Sequence, residues 1–155
     1  MSIIVMKFGG TSVADIDCIK NVAQKVVNQY KKNKKIVVVV SAMSGATDSL
    51  VNLTNQISEK RNLEEYDVVV SSGEQVTAGL LAMAISDLSV KSRSLMGWQI
   101  PIKTDETHYK AIIENISNTN IFTLLNNEEI VVIPGFQGVT SENRISTLGR
   151  GGSDT

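Results

Sequence analysis

The sequence of 155 residues predicts an α/β fold in which a mostly parallel β-sheet lies between two layers of helices. Apolar runs of strand length alternate with stretches whose apolar residues recur at helical spacing. Residues 36–40 and 130–133 are apolar at every position, which is typical of parallel strands that are covered on both faces. Strand, loop and helix repeated in this order favour a three-layer α/β/α arrangement.

The first half of the chain supplies two strands and two helices. A short strand is predicted over residues 3–6, and the helix that begins near Asp15 is indicated by one apolar stripe: Ile16, Ile19, Val22, Ala23, Val26, Val27 and Tyr30. The lysines of residues 31–35 are interpreted as a solvated turn at the carboxyl end of that helix. The buried strand 36–40 follows, and a second helix is marked by Leu50, Leu53, Thr54 and Ile57.

The second half of the chain is less regular. A helix is predicted to begin near Ser72, where Ser72 and Gln75 have capping-box spacing, with core residues Val76, Leu80, Met83 and Ala84. Residues 67–70 fit either a strand or a helical turn. A strand over 92–95, an irregular stretch with Gly97 and Pro101, a strand or short helix over 112–116, a helix over 121–125 and the strand 130–133 complete the series.

Composition excludes several classes of function. A net charge of −1 gives no electrostatic reason to expect nucleic acid or an anionic membrane as a partner. The single Cys18 cannot form an internal disulfide and is predicted to be a small core residue, and the single His108 has no cluster around it that would indicate zinc. No apolar stretch approaches the roughly 20 residues of a membrane span, so a cytoplasmic location is expected and no metal-binding residue is predicted.

A candidate phosphate loop follows the first predicted strand. The segment Lys7-Phe8-Gly9-Gly10-Thr11-Ser12 brings a lysine to a glycine pair and two hydroxyls, just before a helix. Glycines let the chain approach an anion closely and expose backbone N–H groups, and the helix adds its positive end. The common P-loop has its lysine after the glycines, so this is a different arrangement. Taken alone, a Gly-Gly turn after a strand is more often an ordinary tight connection.

A second candidate loop lies at the end of the sequence. Residues 149–154, Gly-Arg-Gly-Gly-Ser-Asp, combine three glycines with a cation, a hydroxyl and a carboxylate, which is the composition of a loop that binds anions. The polar segments 7–12, 41–48 and 135–154 each follow a predicted strand. Ligands of parallel sheets collect at the carboxyl ends of strands, so we expect these segments to meet there.

Four motifs in this order resemble the aspartate kinases of the amino acid kinase family: Lys7-Phe8-Gly9-Gly10-Thr11-Ser12, Ser41-Ala42-Met43, Ser72-Gly73-Glu74 and residues 147–155. Phe136-Gln137-Gly138 fits the same pattern, and the close spacing of Lys7 and Glu74 is similar to the shorter, monofunctional type. The resemblance implies the carbamate kinase-like fold of that family. It also implies that residues 1–155 are the N-terminal, amino-acid-binding portion of the kinase domain, truncated so that the nucleotide-binding remainder and the regulatory domains are absent.

The resemblance implies transfer of the γ-phosphoryl group of ATP, with Mg²⁺, to the side-chain carboxylate of L-aspartate, the first step toward lysine, threonine and methionine. Lys7 would offset charge on the transferring group, and Asp154 would hold cationic side chains and metal in register, as the catalytic pair. Gly9, Gly10 and Ser41 would join Lys7 in binding the nucleotide. The substrate-binding residues would be Thr47, Glu74, Arg150, Gly151, Gly152 and Ser153, with Glu74 on the ammonium group and Arg150 on the α-carboxylate.

Simpler interpretations and other functions stay open. Glu74 can be a helix-start carboxylate that the helix dipole favours, and Thr47 can be an N-cap. The fold could serve a kinase with another carboxylate acceptor, or a non-catalytic module that binds aspartate or assembles with a partner. An open sheet edge near Ser153 would favour self-association, so a homo-oligomer is expected.

Overall fold

The computed structural model describes residues 2–33 and 35–149, which form eight strands and five helices within those ranges. The first half contains β1 (Ile4–Phe8), α1 (Ile16–Lys32), β2 (Ile36–Val40), α2 (Ala46–Ile57), α3 (Leu63–Val70) and α4 (Ser72–Asp87). The second half contains β3 (Ser92–Ser94), β4 (Ile102–Thr104), β5 (Ile113–Ile116), α5 (Thr119–Asn126), β6 (Ile130–Pro134), β7 (Gln137–Val139) and β8 (Ile145–Thr147).

Four strands form a parallel sheet, sheet A, in the order β1-β2-β6-β3. Side chains alternate across β2, so Val38 and Val40 pack with α1 and α4 on one face, whereas Val37 contributes to a second apolar cluster with α5 on the other. Both faces of the strand are therefore covered, which explains its unbroken apolar sequence. The predicted α/β fold with a mostly parallel sheet is confirmed.

A second small sheet, sheet B, was not predicted as such. It has the order β5-β4-β7-β8 and mixes antiparallel with parallel pairs. Residues 135–149 are therefore not one polar loop, because β7 and β8 form an antiparallel pair within them. Strands of three or four residues carry too little alternation for periodicity to reveal, and β4 lies in the stretch that was interpreted as irregular.

Two helix faces differ from the sequence prediction. Ile16 is exposed and Cys18 is half-buried, because both lie in the first turn of α1, before the part of that helix that packs on sheet A. In α4, Val76 and Met83 are exposed, and the buried residues are Gly73, Glu74, Thr77, Ala78, Leu81, Ala82 and Ile85. The buried face of α4 includes small and polar residues near the start of the helix. The spacing of the apolar side chains therefore predicted a different face.

Helices α3 and α4 form one helical rod with a junction at Ser71, the residue that separates them. The predicted capping box is absent, because Ser72 Oγ donates to the carbonyl of Val69 and the helix of residues 63–70 already precedes this point. Residues 67–70 are thus helical. By length and composition residues 63–87 could cross a membrane, yet Ala78, Leu81 and Ile85 belong to the core cluster between α1 and sheet A.

Gly138, from the motif at residues 136–138, is a packing residue of sheet B. A Cβ atom there would lie 2.5 Å from Thr104 Cγ2 and 2.7 Å from the carbonyl oxygen of Ile102. Backbone atoms of β4 cannot retreat cheaply, so Gly138→Ala is expected to destabilise the fold by about 1–3 kcal/mol in urea unfolding. Gly79→Ala is the matched control: its Cβ would meet nothing within 4 Å, and replacing a helical glycine should stabilise. Equal stability of Gly138→Ala and the parent chain would contradict this account.

Candidate active site

The loops that follow the strands of sheet A lie side by side at the carboxyl end of the sheet. The N–H of Ser41 donates to the carbonyl of Phe8 at 3.1 Å, and the N–H of Gly135 donates to the carbonyl of Val40 at 2.9 Å. Gly10 lies against the loop after β2, since a Cβ on it would be 3.4 Å from the carbonyl oxygen of Ala42. The parallel sheet therefore brings the predicted segments 7–12 and 41–48 together.

A cavity of about 400 Å³ lies between these loops and the start of α4. Its lining includes four residues from the predicted site, which are Gly10, Ser41, Thr47 and Glu74. It also includes Thr11 and Asp48, which were not assigned a role, and the segment Ala42 to Gly45 between them. Polar groups from three separate elements thus surround one space of a size suited to a small molecule.

Lys7 and Gly9 do not line this cavity. Lys7 is exposed on β1, in register with Val39, and Gly9 is exposed directly after the strand. Lys7 and Val5 share one face of β1, whereas Ile4, Met6 and Phe8 on the other face pack against the core formed with α1 and α4. The predicted residues Arg150, Gly151, Gly152, Ser153 and Asp154 lie outside the described residues.

Among the cavity-lining residues in the described part of the chain, Glu74 is the one buried acidic side chain. It is 5% exposed, and its Oε1 accepts a hydrogen bond of 3.3 Å from the N–H of Ala42. Its Oε2 is buried and has no hydrogen-bond partner among the described residues. Burial raises the pKa of Glu74 to about 7, against the smaller opposing effect of backbone N–H groups. A buried acceptor of this kind is suited to a cationic donor from a ligand.

Glu74 lies in the first turn of α4, where the helix-start interpretation places it. The rod of α3 and α4 begins at Leu63, where Asn62 is the N-cap and Glu64 and Glu65 occupy the first turn of α3. A helix-start role does not require burial, so it leaves the unpartnered Oε2 of Glu74 unexplained.

The amino end of α2 also borders the cavity. Its N-cap is Gly45, with a φ of 74° and no side-chain cap, so Thr47 is the second helical residue and the N-cap interpretation of Thr47 is wrong. A positive φ is readily adopted only by glycine, and it turns the loop into the helix. The uncapped first turn presents backbone N–H groups and the positive end of the helix dipole on the cavity side, while Asp48 adds one acidic group there.

Asp67, in α3, connects the rod to β8, the strand that directly precedes the motif at residues 149–154. Its fully buried carboxylate accepts from Thr147 Oγ1 at 2.6 Å, from the N–H of Thr147 at 3.0 Å and from the N–H of Tyr109 at 3.1 Å. His108 Nδ1 lies 2.8 Å from the same carboxylate. Thr147 precedes Gly149 by two residues. Sequence reasoning missed Asp67, although a lone charge in the apolar run Tyr66 to Val70 is a signal that a buried partner exists.

An apolar groove of about 390 Å³ lies elsewhere, between α2 and α3. Its lining includes Leu53, Ile57, Tyr66 and Val69, and the Arg61 guanidinium lies 5.2 Å from the centre of the Tyr66 ring. No predicted site residue lines this groove, so it is separate from the candidate site. Within residues 2–33 and 35–149, no group of three His, Cys, Asp or Glu residues is arranged to hold a metal ion.

Comparison with known proteins relates the chain to one family throughout its length. The model of the amino acid kinase family matches residues 2–155. The chain is 48% identical to the aspartokinase of Rickettsia conorii over 158 residues and 51% identical to that of Geobacillus stearothermophilus over 155 residues. These matches cover 100% of this chain but 39% and 38% of the two relatives, so the chain spans well under half of their length.

Solved structures agree with this relationship. The crystal structure of aspartate kinase from Synechocystis matches 99% of this chain and 25% of its own, with a TM-score of 0.82 at 40% identity. Aspartokinase III of E. coli matches the fold with a TM-score of 0.86 at 24% identity, over 99% of this chain and 45% of its own. The resemblance to aspartate kinases that the motifs indicated is confirmed, and the chain belongs to the amino acid kinase family.

Proposed function

We propose that this chain is the amino-acid-binding portion of an aspartate kinase, in which it holds L-aspartate for phosphorylation by MgATP. Two findings support the proposal: the identity of 48–51% to aspartokinases along the whole chain, and the cavity at the carboxyl end of sheet A. The nucleotide-binding remainder would come from sequence beyond these residues. Such an enzyme would work in the cytoplasm, as a homo-oligomer, at the start of lysine, threonine and methionine synthesis.

The observation that carries the proposal is the buried, unpartnered Oε2 of Glu74. An amino acid substrate brings an ammonium group, which would supply the missing donor and the opposite charge at the same time. An N-acylated acceptor has no such cation, so it would leave Glu74 unpaired. The site therefore favours an acceptor with a free amino group over acetylglutamate.

The reaction requires positioning and charge neutralisation more than acid–base help. A side-chain carboxylate oxygen of aspartate would form a bond to the γ-phosphorus while the bond from that phosphorus to the β,γ-bridging oxygen breaks, giving 4-phospho-L-aspartate and ADP. No proton is removed, because the acceptor is already an anion. Magnesium would arrive with ATP as part of the substrate.

The family resemblance assigns the remaining roles within this proposal. Lys7 would offset the charge that develops on the transferring phosphoryl group, and the N–H groups of Gly9 and Gly10 would surround it. Ser41 would lie toward the nucleotide and Thr47 toward the amino acid. Arg150, Gly151, Gly152 and Ser153 would complete the amino acid site, and Asp154 would keep the cationic groups in register.

A hydroxylamine trap for acyl phosphate tests the proposal. The 155-residue chain and the full gene product that carries it are each incubated with MgATP and aspartate, glutamate or N-acetylglutamate. We expect the full gene product to form hydroxamate with aspartate alone, and a loss of about 10²–10³-fold in Lys7→Ala, because one stabilising cation is removed from the transition state. Lys20→Ala, which alters an exposed lysine on α1, is the matched control.

Three results would each contradict one part of this proposal: the acceptor, the role of Lys7, or catalysis itself. Phosphorylation of N-acetylglutamate would show that the acceptor is an N-acylated amino acid and not aspartate. Full activity of Lys7→Ala would show that Lys7 does not take part in phosphoryl transfer. Silence of the full gene product with all three acceptors, in a folded sample that still binds aspartate, would favour a non-catalytic binding module.

A further inference from the structure

We propose that Gln137 is a positioning residue for the amino acid site: it holds the junction between α3 and α4 at Ser71 and thereby sets where the Glu74 carboxylate lies. The identity of the substrate in this inference rests on the proposed function. The junction and its contacts do not.

The junction between the two helices has an identifiable local cause. Ser71 Oγ donates to the carbonyl of Val68 at 3.3 Å, and Ser72 Oγ donates to the carbonyl of Val69 at 2.6 Å. Hydroxyls that bond back to the preceding turn in this way compete with the helical ladder. The junction at Ser71 lies three residues before Glu74, less than one helical turn away. Any shift of the junction therefore moves the carboxylate relative to the loop after β2.

Gln137 holds this junction from sheet B. It is 1% exposed, and its Nε2 donates to the carbonyl of Ser71 at 3.0 Å. In the ladder between β7 and β8, Gln137 is paired with Thr147, which binds Asp67 one turn earlier on the same rod. Two neighbouring residues of sheet B thus hold the rod at points four residues apart, on one face of the helix.

The carbonyl oxygen of the Gln137 side chain indicates that the fold does not depend on this amide. Its Oε1 is buried and has no hydrogen-bond partner among the described residues. A buried acceptor without a partner opposes folding by about as much as one or two hydrogen bonds contribute. An apolar side chain of similar length would lose the bond to Ser71 and remove the unpaired oxygen as well, so the two effects offset each other in stability. The contact to the junction is what the amide uniquely supplies.

Gln137→Met in the full gene product tests the inference. Methionine matches glutamine in length and fills the same space. We expect the midpoint of thermal unfolding to stay the same or rise, and the affinity for aspartate to fall about tenfold, as for residues coupled through one hydrogen-bond network. The affinity for MgATP should not change, because Glu74 is assigned to the amino acid and not to the nucleotide.

Thr104→Val is the matched control for loss of a buried hydrogen bond in the same sheet. Thr104 Oγ1 forms hydrogen bonds with Ser146 Oγ at 2.7 Å and with the carbonyl of Asp105 at 2.9 Å, and neither partner belongs to the rod, so this variant is expected to leave aspartate affinity unchanged. If Thr104→Val weakened aspartate binding as much as Gln137→Met does, general loosening of sheet B would explain both results and the inference would fail.

A second measurement does not depend on the substrate. The carboxyl ¹³C signal of Glu74, assigned with Glu74→Gln, is titrated by NMR in the parent protein and in Gln137→Met. We expect the midpoint to fall toward the ordinary glutamate value in the variant, as the carboxylate becomes better solvated. A parent protein that binds no aspartate would refute the proposed function, yet this titration would still decide the role of Gln137.

Unchanged titration together with unchanged aspartate affinity would overturn the inference. Gln137→Leu replaces the methionine variant if that variant does not fold. Failure of both apolar variants to fold would show that the amide is needed for the fold itself, which would also overturn it.

Discussion

Glu74→Gln is expected to abolish measurable aspartate binding and, at the same time, to stabilise the protein above pH 7. The glutamine amide keeps the shape of the side chain but carries no charge for the substrate ammonium group. It also removes the cost of ionising a carboxyl group that is 5% exposed and that has one oxygen without a partner. A buried ionisable side chain that lowers stability and borders a cavity is typical of a binding site.

The sign of the pH dependence follows from the raised pKa of Glu74, which is about 7 in the folded protein against 4.5 as the ordinary value. Between these values the folded state holds the proton and the unfolded state does not, so the stabilising contribution is complete below pH 4.5 and is lost as the pH rises through 7. The parent protein should therefore lose about 2–3 kcal/mol from this group by pH 8, whereas Glu74→Gln should not.

Urea unfolding at pH 5 and pH 8 measures this difference, and titration calorimetry measures aspartate binding. Glu114→Gln, at an exposed position of β5, is the control and should change neither quantity. In the parent protein, the ammonium of aspartate should favour the ionised carboxylate, so affinity should rise with pH through about 7 and binding should release a proton. Retained aspartate affinity in Glu74→Gln, or a release of no proton near pH 6, would refute the assignment of Glu74.

Asp67→Ala is expected to produce the largest loss of stability. Its carboxylate is fully buried and accepts hydrogen bonds from Thr147 and Tyr109 beside the contact with His108. Removal would leave donors of β8 and of the loop between β4 and β5 without an acceptor and would open a small cavity. Breaking a buried charged network by removing one partner costs about 3–5 kcal/mol, a large share of the 5–15 kcal/mol that is typical of a domain.

The midpoint of urea unfolding at pH 7 measures this effect. Asp87→Ala, at the exposed carboxyl end of α4, is the control and should be neutral or slightly stabilising, because an acidic group opposes the helix dipole there. Asp67→Asn should lose less than Asp67→Ala, since the amide oxygen still accepts from Thr147. Equal midpoints for the parent chain and Asp67→Ala would show that the donors find other acceptors and that β8 is not anchored to the rod through Asp67.

The sequence by itself determined the parallel sheet, the alternation of elements, the family and the loops that meet after β1 and β2. These features depend on local patterns. Residues 36–40 are apolar at every position because both faces of β2 are covered. The order of the motifs is a property of the sequence and does not depend on packing. The roles of Lys7, Thr47 and Glu74 remain proposals, although Thr47 and Glu74 do line one cavity.

Tertiary structure decided which face of α4 is buried, how sheet B pairs and how Glu74 is held. The buried side of α4 includes Gly73, Glu74 and Thr77, which periodicity of apolar residues does not detect. The register of β7 and β8 brings Gln137 to Ser71 and Thr147 to Asp67. The two partners of the first contact are separated by 66 positions in the sequence, and those of the second by 80. Hydrogen bonds at such separations depend on the global fold, so the sequence could supply the chemical groups of the site, but only packing could bury one carboxylate oxygen of Glu74 without a partner.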